Sequence, residues 1–205
     1  MGIREIVSPK RILKNALWNK RTKDSLEPFR REQKLEDDIL KQCDHVILNN
    51  KYQKAYMLDQ YDEKIQDKAI VLPHSYDSTL YTEREEEKKK KIRMVYIGHL
   101  DDIRTPHLLL KAVKQLKEIK SDLSDRLEIQ FYGNMSDKEK VYLLDNELLD
   151  VVQIKKPVDY RTSLAIMQES DWLIHIDANL TGIIDENIFF AAKLADYIGA
   201  GKPIF

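Results

Sequence analysis

Apolar residues follow two alternating patterns along this chain: short continuous runs, and segments in which they recur at helical spacing. Continuous runs of aliphatic and aromatic residues predict buried strands, whereas helical spacing predicts amphipathic helices. From Ile92 onward the two patterns alternate regularly, through IRMVYIGHL, TPHLLLKAVKQLKEIK, RLEIQFYGN, SDKEKVYLLDNEL, VVQIKKP, YRTSLAIMQES, DWLIHID and IFFAAKLADYIGA. Strands that alternate with helices form parallel sheets covered by helices on both faces. The predicted fold class is therefore α/β, with a doubly wound parallel sheet.

The first part of the chain shows a shorter version of the same alternation. RREQKLEDDILKQC predicts an exposed helix, DHVILNN and AIVLP predict strands, and a tyrosine-rich helix is predicted between them. HSYDSTLYTEREEEKKKK has no apolar period and is typical of an exposed connector. We therefore divide the chain into the end of one α/β domain (1–77), a linker (78–91) and a second α/β domain (92–205). The last apolar run begins after Pro203 and stops at Phe205, so we expect the second domain to be incomplete in this chain.

Charge and cysteine content narrow the class of protein. The sequence has 34 basic and 35 acidic residues, a balance that does not suggest a nucleic-acid-binding protein. No apolar run approaches the roughly 20 residues that span a bilayer, and the first residues do not have the pattern of a secretory leader. Its one cysteine, Cys43, has no partner for an intrachain disulfide, so a cytoplasmic location is expected.

The segment 9–23 is basic and places its apolar residues at helical spacing. It has two interpretations, a helix on the surface of a membrane or a helix packed on the rest of the protein. Ordinary packing is favoured, because the segment is short and Trp18 is its one typical interfacial anchor. Peripheral contact with the inner face of the membrane stays open as the alternative.

Ligands of open α/β sheets bind beyond the carboxyl ends of the strands, so the loops at those ends are the places to search. After the first strand of the second domain, Gly98 and His99 lead to Arg104 and Thr105. Thr105 is a good helix N-cap, and a helix N-terminus beside an arginine guanidinium suits a phosphate group. The alternative is a plain turn with a surface arginine.

Later loops add weaker candidates. Gly133 ends a strand, although a simple turn is the favoured interpretation there, and Val158 follows a strand where backbone groups could meet a nucleobase. A long loop after DWLIHID carries Asp177, Asp185 and Glu186, and long loops in compact domains are commonly functional.

The helix after this loop has two charged residues among apolar neighbours. Lys193 could reach a phosphate from near the beginning of the helix, and Asp196 could hold a hydroxyl group or a neighbouring helix. Spacing alone favours these roles no more than simple exposure to solvent.

The sequence shows no pattern of a metal site. Its five histidines lack metal-ligand spacing and it has no Asp-x-Asp pair. GAGKP lacks the first glycine and the hydroxyl residue of a P-loop. We expect neither a metal ion nor another cofactor.

Four segments, in this order, resemble the GT-B glycosyltransferases, in particular the bacterial retaining family that builds surface polysaccharides: AIVLPHSYD, RMVYIGHLDDIRTPHLLLKAV, MQESDWLIHID and AAKLADYIGAGKPIF. The resemblance runs from about Asp44 to Phe205. It implies a GT-B fold with a Rossmann-like donor domain. It also implies transfer of a sugar from a nucleotide diphosphate sugar to a glycan or lipid-linked acceptor, with retention and without a metal. This chain alone is expected to be inactive.

The resemblance implies roles for individual residues. Arg104 and the backbone of Gly98 and His99 would face the pyrophosphate, Val158 would lie by the base, and 188–193 would approach the ribose and phosphates. Cationic groups there would stabilise the departing diphosphate. The candidate catalytic residues are Arg104, Lys193 and Asp196, and the candidate substrate-binding residues are Gly98, His99, Thr105, Gly133, Val158, Asp177, Asp185, Glu186 and Ile188.

The chain departs from the family pattern at two pairs of positions. Many members have an arginine after the first glycine and a lysine before the next helix, where this chain has His99 and Thr105, so Arg104 is the expected substitute. Many also have two glutamates about seven positions apart around the donor sugar, where this chain has Ile188 and Asp196. Asp185 or Glu186 could replace the first glutamate only if the loop folds back.

The missing glutamate leaves a second interpretation open. The protein could be a non-catalytic GT-B-like subunit that scaffolds or activates a partner glycosyltransferase. An epimerase of the same fold fits less well, because nothing here resembles its acid and base carboxylates.

Overall fold

The computed structural model describes residues 26–82, 90–119, 122–180 and 187–205. The described residues form two compact units, of which the first consists of 26–74 and 187–190, and the second of the remainder. The basic segment 9–23, Asp185 and Glu186 lie outside the described residues. The domain boundaries predicted from the sequence stay predictions.

The first unit contains a small parallel sheet flanked by helices. Its elements are α1 (Leu26–Gln42), β1 (Val46–Leu48), α2 (Lys51–Leu58), α3 (Glu63–Gln66) and β2 (Ala69–Val71). Strands β1 and β2 pair in parallel, with Val46 opposite Ala69. The side-chain oxygen of Asn50 accepts the N–H of Gln53 and caps α2. The core of this unit is formed by Leu40, Leu48, Leu58 and Ile65.

The second unit is built around a four-stranded parallel sheet. Its elements are a 3₁₀ helix (Ser78–Leu80), β3 (Ile92–Ile97), α4 (His107–Glu118), α5 (Asp122–Arg126), β4 (Leu127–Tyr132), α6 (Asp137–Asp145), β5 (Val152–Lys155), α7 (Tyr160–Glu169), β6 (Trp172–Leu173) and α8 (Lys193–Ala200). The strand order is β5-β4-β3-β6, and every pair in it is parallel. Ile204 adds one parallel bridge to Leu173 at the β6 edge.

Helices cover both faces of this sheet. Neighbouring residues of a strand point to opposite faces, and two neighbours on β3 belong to different cores. Tyr96 packs in the cluster that includes Leu110 of α4 and Leu143 of α6. Val95 packs in the cluster that includes Leu164 of α7 and Tyr197 of α8. The prediction of an α/β fold with a doubly wound parallel sheet is therefore confirmed.

Two predicted elements are shorter than the sequence pattern indicated. The last helix begins at Lys193, not at Ile188. The Asn50 amide donates to the Ile188 carbonyl at 2.9 Å, and the Asn187 side chain accepts the Phe189 N–H at 3.0 Å. Side chains therefore bond the backbone carbonyl and N–H groups that would otherwise form the hydrogen bonds of a helix. Only Trp172 and Leu173 of the predicted strand DWLIHID form a regular ladder.

No helix among the described residues combines the length and the apolar character that crossing a bilayer requires.

Candidate functional site

The Lys193 side chain reaches the carboxyl end of β3. Its Nζ donates a hydrogen bond to the Tyr96 hydroxyl at 2.9 Å and lies 4.0 Å from the centre of the Tyr96 ring. A Cβ atom placed on Gly98 would be 2.8 Å from the same Nζ. The ammonium group therefore lies directly against the Gly98 backbone, where open α/β sheets bind their ligands.

The environment of Lys193 disfavours its charged form. Burial is the first cause and the positive charge of Arg104 is the second, and together they lower the pKa of Lys193 from 10.5 to about 8. Burial raises the pKa of the Tyr96 hydroxyl to about 12, and the same Arg104 charge opposes that rise. The two cationic groups are thus close enough to repel each other, and an anion between them would relieve that repulsion.

Arg104 is held by a tight loop that Asp101 organises. One Asp101 carboxylate oxygen accepts the Arg104 N–H at 2.8 Å, and the other accepts a hydrogen bond from Nη1 at 3.2 Å. The Asp101 N–H in turn donates to the Arg104 carbonyl at 3.3 Å. A guanidinium has five N–H donors, and with 41% of its side chain exposed Arg104 is oriented but still accessible to a ligand.

His175 is a further candidate residue near Lys193 that the sequence pattern did not indicate. Its Nδ1 is buried and has no hydrogen-bond partner among the described residues. Burial lowers the pKa of His175, Asp177 opposes that effect, and the charge of Lys193 adds to it. The sequence feature that could have indicated His175 is its polar ring inside the mostly apolar run DWLIHID. The five histidines were interpreted only by their spacing as metal ligands.

Two glycines shape the strand ends beneath the site. Gly98 and Gly133 have φ angles of 141° and 143°, a region that side-chain-bearing residues rarely adopt. The Gly98 N–H donates to the Tyr132 carbonyl at 2.9 Å, and the Gly133 N–H donates to the Lys155 carbonyl at 3.2 Å. Both glycines thus continue the hydrogen-bond ladder one residue beyond the strands. Gly133 also lies directly against the Gly98 backbone.

The Thr105 hydroxyl is engaged with a neighbouring helix. It donates to Glu139 Oε1 at 2.8 Å, and Glu139 Oε2 lies 3.1 Å from His107 Nδ1. Thr105 also accepts the His107 N–H at 3.2 Å, although α4 begins at His107 and its capping position is occupied by Pro106. The prediction of Thr105 as the N-cap is therefore wrong by one residue, because the Pro106 carbonyl accepts the first helical N–H, that of Leu110. The Thr105 hydroxyl still accepts the His107 N–H.

Asp196 contacts two tyrosines. Its Oδ1 accepts hydrogen bonds from the Tyr160 hydroxyl at 2.8 Å and the Tyr81 hydroxyl at 3.1 Å. The pKa of Tyr81 is raised, first by burial and then by the Asp196 charge. The structure thus brings Asp196 together with these tyrosines, whereas Lys193 contacts Tyr96.

The other candidate residues lie at different places. The exposed His99 accepts the Tyr96 hydroxyl at 3.0 Å through its backbone oxygen, so its backbone belongs to the site. Val158 is half-buried beyond β5, and the exposed Asp177 accepts the Ala178 N–H at 2.8 Å. Ile188 is buried in the first unit.

Within 26–82, 90–119, 122–180 and 187–205, no group of three or more His, Cys, Asp or Glu side chains stands in a position to hold a metal ion.

Comparisons by sequence found no relative. No family model matches the chain, and no curated protein matches it.

Comparisons by structure found glycosyltransferases. The chain is similar to the pneumococcal O-GlcNAc transferase GtfA, solved with UDP and GlcNAc (18% identity, TM-score 0.56, 82% of this chain and 31% of that one). It is similar to a mutant of S. aureus TarM, solved with fondaparinux, α-GlcNAc-glycerol and UDP (13% identity, TM-score 0.56, 81% and 30%). It is also similar to WaaG, a glycosyltransferase involved in lipopolysaccharide biosynthesis (18% identity, TM-score 0.54, 77% and 42%).

These likenesses show the fold. The chain spans 30% to 42% of the lengths of these three structures. The predicted fold class, a GT-B-type α/β structure with a Rossmann-like parallel sheet, is confirmed by them.

Proposed function

We propose that the second unit binds the diphosphate of a nucleotide sugar, and that the protein is a glycosyltransferase. The observation that carries this proposal is the Lys193 ammonium, which Tyr96 holds against the Gly98 backbone. The positive charge of Arg104, from the loop after β3, contributes to the lowered pKa of Lys193. Two cationic groups at the carboxyl ends of parallel strands suit a diphosphate, which gains a further negative charge when it departs.

The proposed reaction transfers a sugar to a glycan or lipid-linked acceptor. The bond between the anomeric carbon and the diphosphate oxygen breaks, a bond to the acceptor oxygen forms on the same face of the sugar, and the acceptor hydroxyl proton passes to the departing diphosphate. Negative charge develops on the departing diphosphate, and Lys193 and Arg104 would stabilise that charge more in the transition state than in the ground state. No metal is assigned a step, because the two side chains supply the compensating charge.

The structural neighbours support the choice of nucleotide. GtfA and the TarM mutant were both solved with UDP. UDP is therefore the first nucleotide to test, and a UDP-sugar is the proposed donor.

We further propose that this chain alone binds the nucleotide without turning over the donor, since it spans less than half the length of each of the three neighbours. Incubation of the chain with UDP-GlcNAc, followed by measurement of released UDP, tests this point. Catalytic release of UDP would overturn it. A cytoplasmic location completes the proposal, with contact at the inner face of the membrane as the alternative for a lipid-linked acceptor.

A second candidate function is supported by Ile188. The resemblance places a donor-sugar glutamate there, whereas Ile188 is apolar and only 7% exposed. A non-catalytic subunit that scaffolds or activates a partner glycosyltransferase would not need that carboxylate.

Calorimetric titration of the chain with UDP, GDP, ADP and uridine tests the proposed site. We expect one nucleoside diphosphate to bind and uridine to bind far more weakly, because most of the interaction is with the phosphates. The Lys193→Met variant should bind this nucleotide at least about tenfold more weakly but still measurably, whereas Lys111→Met, a change at an exposed lysine of α4, should bind it as the wild type does. Equal binding by uridine and UDP would contradict a diphosphate site.

A further inference from the structure

We propose that Tyr96 is a positioning residue of this site, whose hydroxyl holds the Lys193 ammonium against Gly98 before a diphosphate arrives. This inference rests on the proposed function and adds to it a residue that neither the family resemblance nor the sequence pattern indicated.

The Tyr96 hydroxyl is the middle member of a chain of hydrogen bonds. Lys193 Nζ donates to it at 2.9 Å, and the hydroxyl donates to the His99 carbonyl at 3.0 Å. The direction of the chain is determined by chemistry, because an ammonium only donates and a carbonyl only accepts. The hydroxyl therefore presents a lone pair to Lys193, and the arrangement ties the lysine to the loop that leads to Arg104.

Tyr96 is rigid enough to serve as a reference point. It lies on the central part of the sheet in β3, is 0% exposed, and its ring centre is 5.8 Å from that of Phe131. The ring face lies 4.0 Å from Lys193 Nζ, which adds a cation–π attraction.

A free lysine side chain would lose conformational entropy when it binds a phosphate. Because Tyr96 already restricts Lys193, part of that entropy is lost on folding, and the ligand does not have to compensate for that part again. The same logic applies to a transition state, in which a preorganised charge needs no reorientation.

The neighbouring charges explain why the lysine needs to be held. Arg104, from the loop after β3, and His175, from the chain after β6, both interact electrostatically with Lys193. The positive charge of Arg104 pushes Lys193 away or towards its neutral form. An oxygen that accepts a hydrogen bond from the ammonium opposes both effects, and Asp101 draws the guanidinium towards its own loop.

The experiment is calorimetric titration of UDP into the wild-type chain, Tyr96→Phe and the control Tyr132→Phe, across a range of pH. Tyr96→Phe retains the ring and removes the hydroxyl. The control removes a hydroxyl from the adjacent strand whose hydrogen-bond acceptor is the Gln130 side chain, at 2.9 Å. We expect Tyr96→Phe to weaken UDP binding by roughly tenfold, the effect of one hydrogen bond to a charged group, and to bring the loss of affinity at alkaline pH to a lower pH. Tyr132→Phe should stay within about twofold of the wild type.

A double-mutant cycle separates positioning from general structure. If Tyr96 acts through Lys193, Tyr96→Phe should have no further effect on UDP affinity in a Lys193→Met background. A full additional loss in that background would overturn the proposal.

A spectroscopic measurement on the wild type makes the test independent of the folding of any Tyr96 variant. The ¹⁵N–¹H signal of the Lys193 ammonium, assigned through Lys193→Met, should show restricted motion in the absence of UDP. A freely rotating ammonium in the unliganded chain would overturn the role of Tyr96. Wild-type chain that binds no nucleoside diphosphate would instead overturn the proposed function, and Tyr96 with it, whereas wild-type binding that Tyr96→Phe equals would overturn Tyr96 alone.

Discussion

Gly133 approaches Gly98 so closely that a Cβ atom on Gly133 would lie 2.0 Å from the Gly98 carbonyl oxygen. Real Cβ atoms do not come this near to backbone, so the two strand ends can meet only because residue 133 has no side chain. The contact connects the ends of β3 and β4 under the loop that carries Arg104. Gly133, which the sequence predicted as a substrate contact, thus packs against the backbone of Gly98.

This contact predicts a large effect of Gly133→Ala. The variant combines a backbone clash with a φ angle of 143°, and we expect a loss of about 3 kcal/mol in the free energy of unfolding, measured by urea denaturation. Gly201→Ala is the matched control, because Gly201 has a φ angle of 67° but a Cβ atom on it would meet nothing within 4 Å. It should lose only about 1 kcal/mol. Equal losses would show that the Gly98 contact is unimportant.

Glu139 should contribute strongly to the stability of the second unit. It is only 3% exposed and accepts hydrogen bonds from Thr105 and His107, which connects α4 to α6. Glu139→Ala leaves both partners without an acceptor, so we expect a loss of about 2 to 3 kcal/mol in the free energy of unfolding. Glu118→Ala, which removes only an exposed pair with Lys114 at 3.6 Å, should change it by less than about 0.5 kcal/mol.

Asp196 is expected to matter for stability as well as for any contact with substrate. Asp196→Ala removes the carboxylate that accepts two tyrosine hydroxyls, although Tyr81 keeps the Asp196 carbonyl at 3.3 Å, and we predict a fall in Tm of roughly 3 to 6 °C, equivalent to about 1 to 2 kcal/mol in a chain of this size. Asp145→Ala, at an exposed position of α6, should leave Tm within about 1 °C. A Tm for Asp196→Ala equal to that of the wild type would mean that the tyrosine contacts contribute no stability.

Lys193 should reduce stability at neutral pH. Its folded pKa, about 8, lies below the unfolded value of 10.5, so the unfolded chain binds more protons between these values and stability rises with pH across that window. Below about pH 8 the full cost of the buried charge is present. Lys193→Met should therefore be more stable than the wild type near pH 7, by about 2 kcal/mol after allowance for partial exposure.

The difference between the two proteins is the quantity to measure, since tyrosine titration largely cancels in it. Urea denaturation from pH 7 to 10 should show the advantage of Lys193→Met shrinking above pH 8. A constant advantage across this range would contradict a lowered pKa. A charged residue whose replacement by an apolar one stabilises the protein is typical of a residue that is retained for function.

Periodicity predicted the fold well because each element buries one face or stripe. The alternation of Val95 and Tyr96 between two cores, for example, follows directly from the two-residue period of a strand. The beginning of α8 could not be predicted, since the partner of the Ile188 carbonyl is Asn50, far away along the chain. Local pattern carries no information about such a contact.

Only part of the candidate site could be predicted, because local pattern carries no information about contacts between distant residues. Arg104 and Lys193 were identifiable because their residue types and positions after strands suit phosphate. His175, Tyr96 and the tyrosine partners of Asp196 were not, because their importance depends on which side chains meet across the sheet. An apolar strand with one polar ring is a signal that sequence interpretation could use.

The affinity of this chain for UDP, measured by calorimetry near pH 7 for the wild type, Arg104→Ala and Arg161→Ala, tests the central claim most directly. Arg161 is an exposed arginine of α7 in the same unit and controls for net charge. The account predicts that the wild type and Arg161→Ala bind UDP alike, and that Arg104→Ala binds at least about tenfold more weakly because a charge-assisted hydrogen bond to the diphosphate is lost. Equal affinities for all three proteins, or no binding by any, would contradict a diphosphate site formed by Lys193 and Arg104.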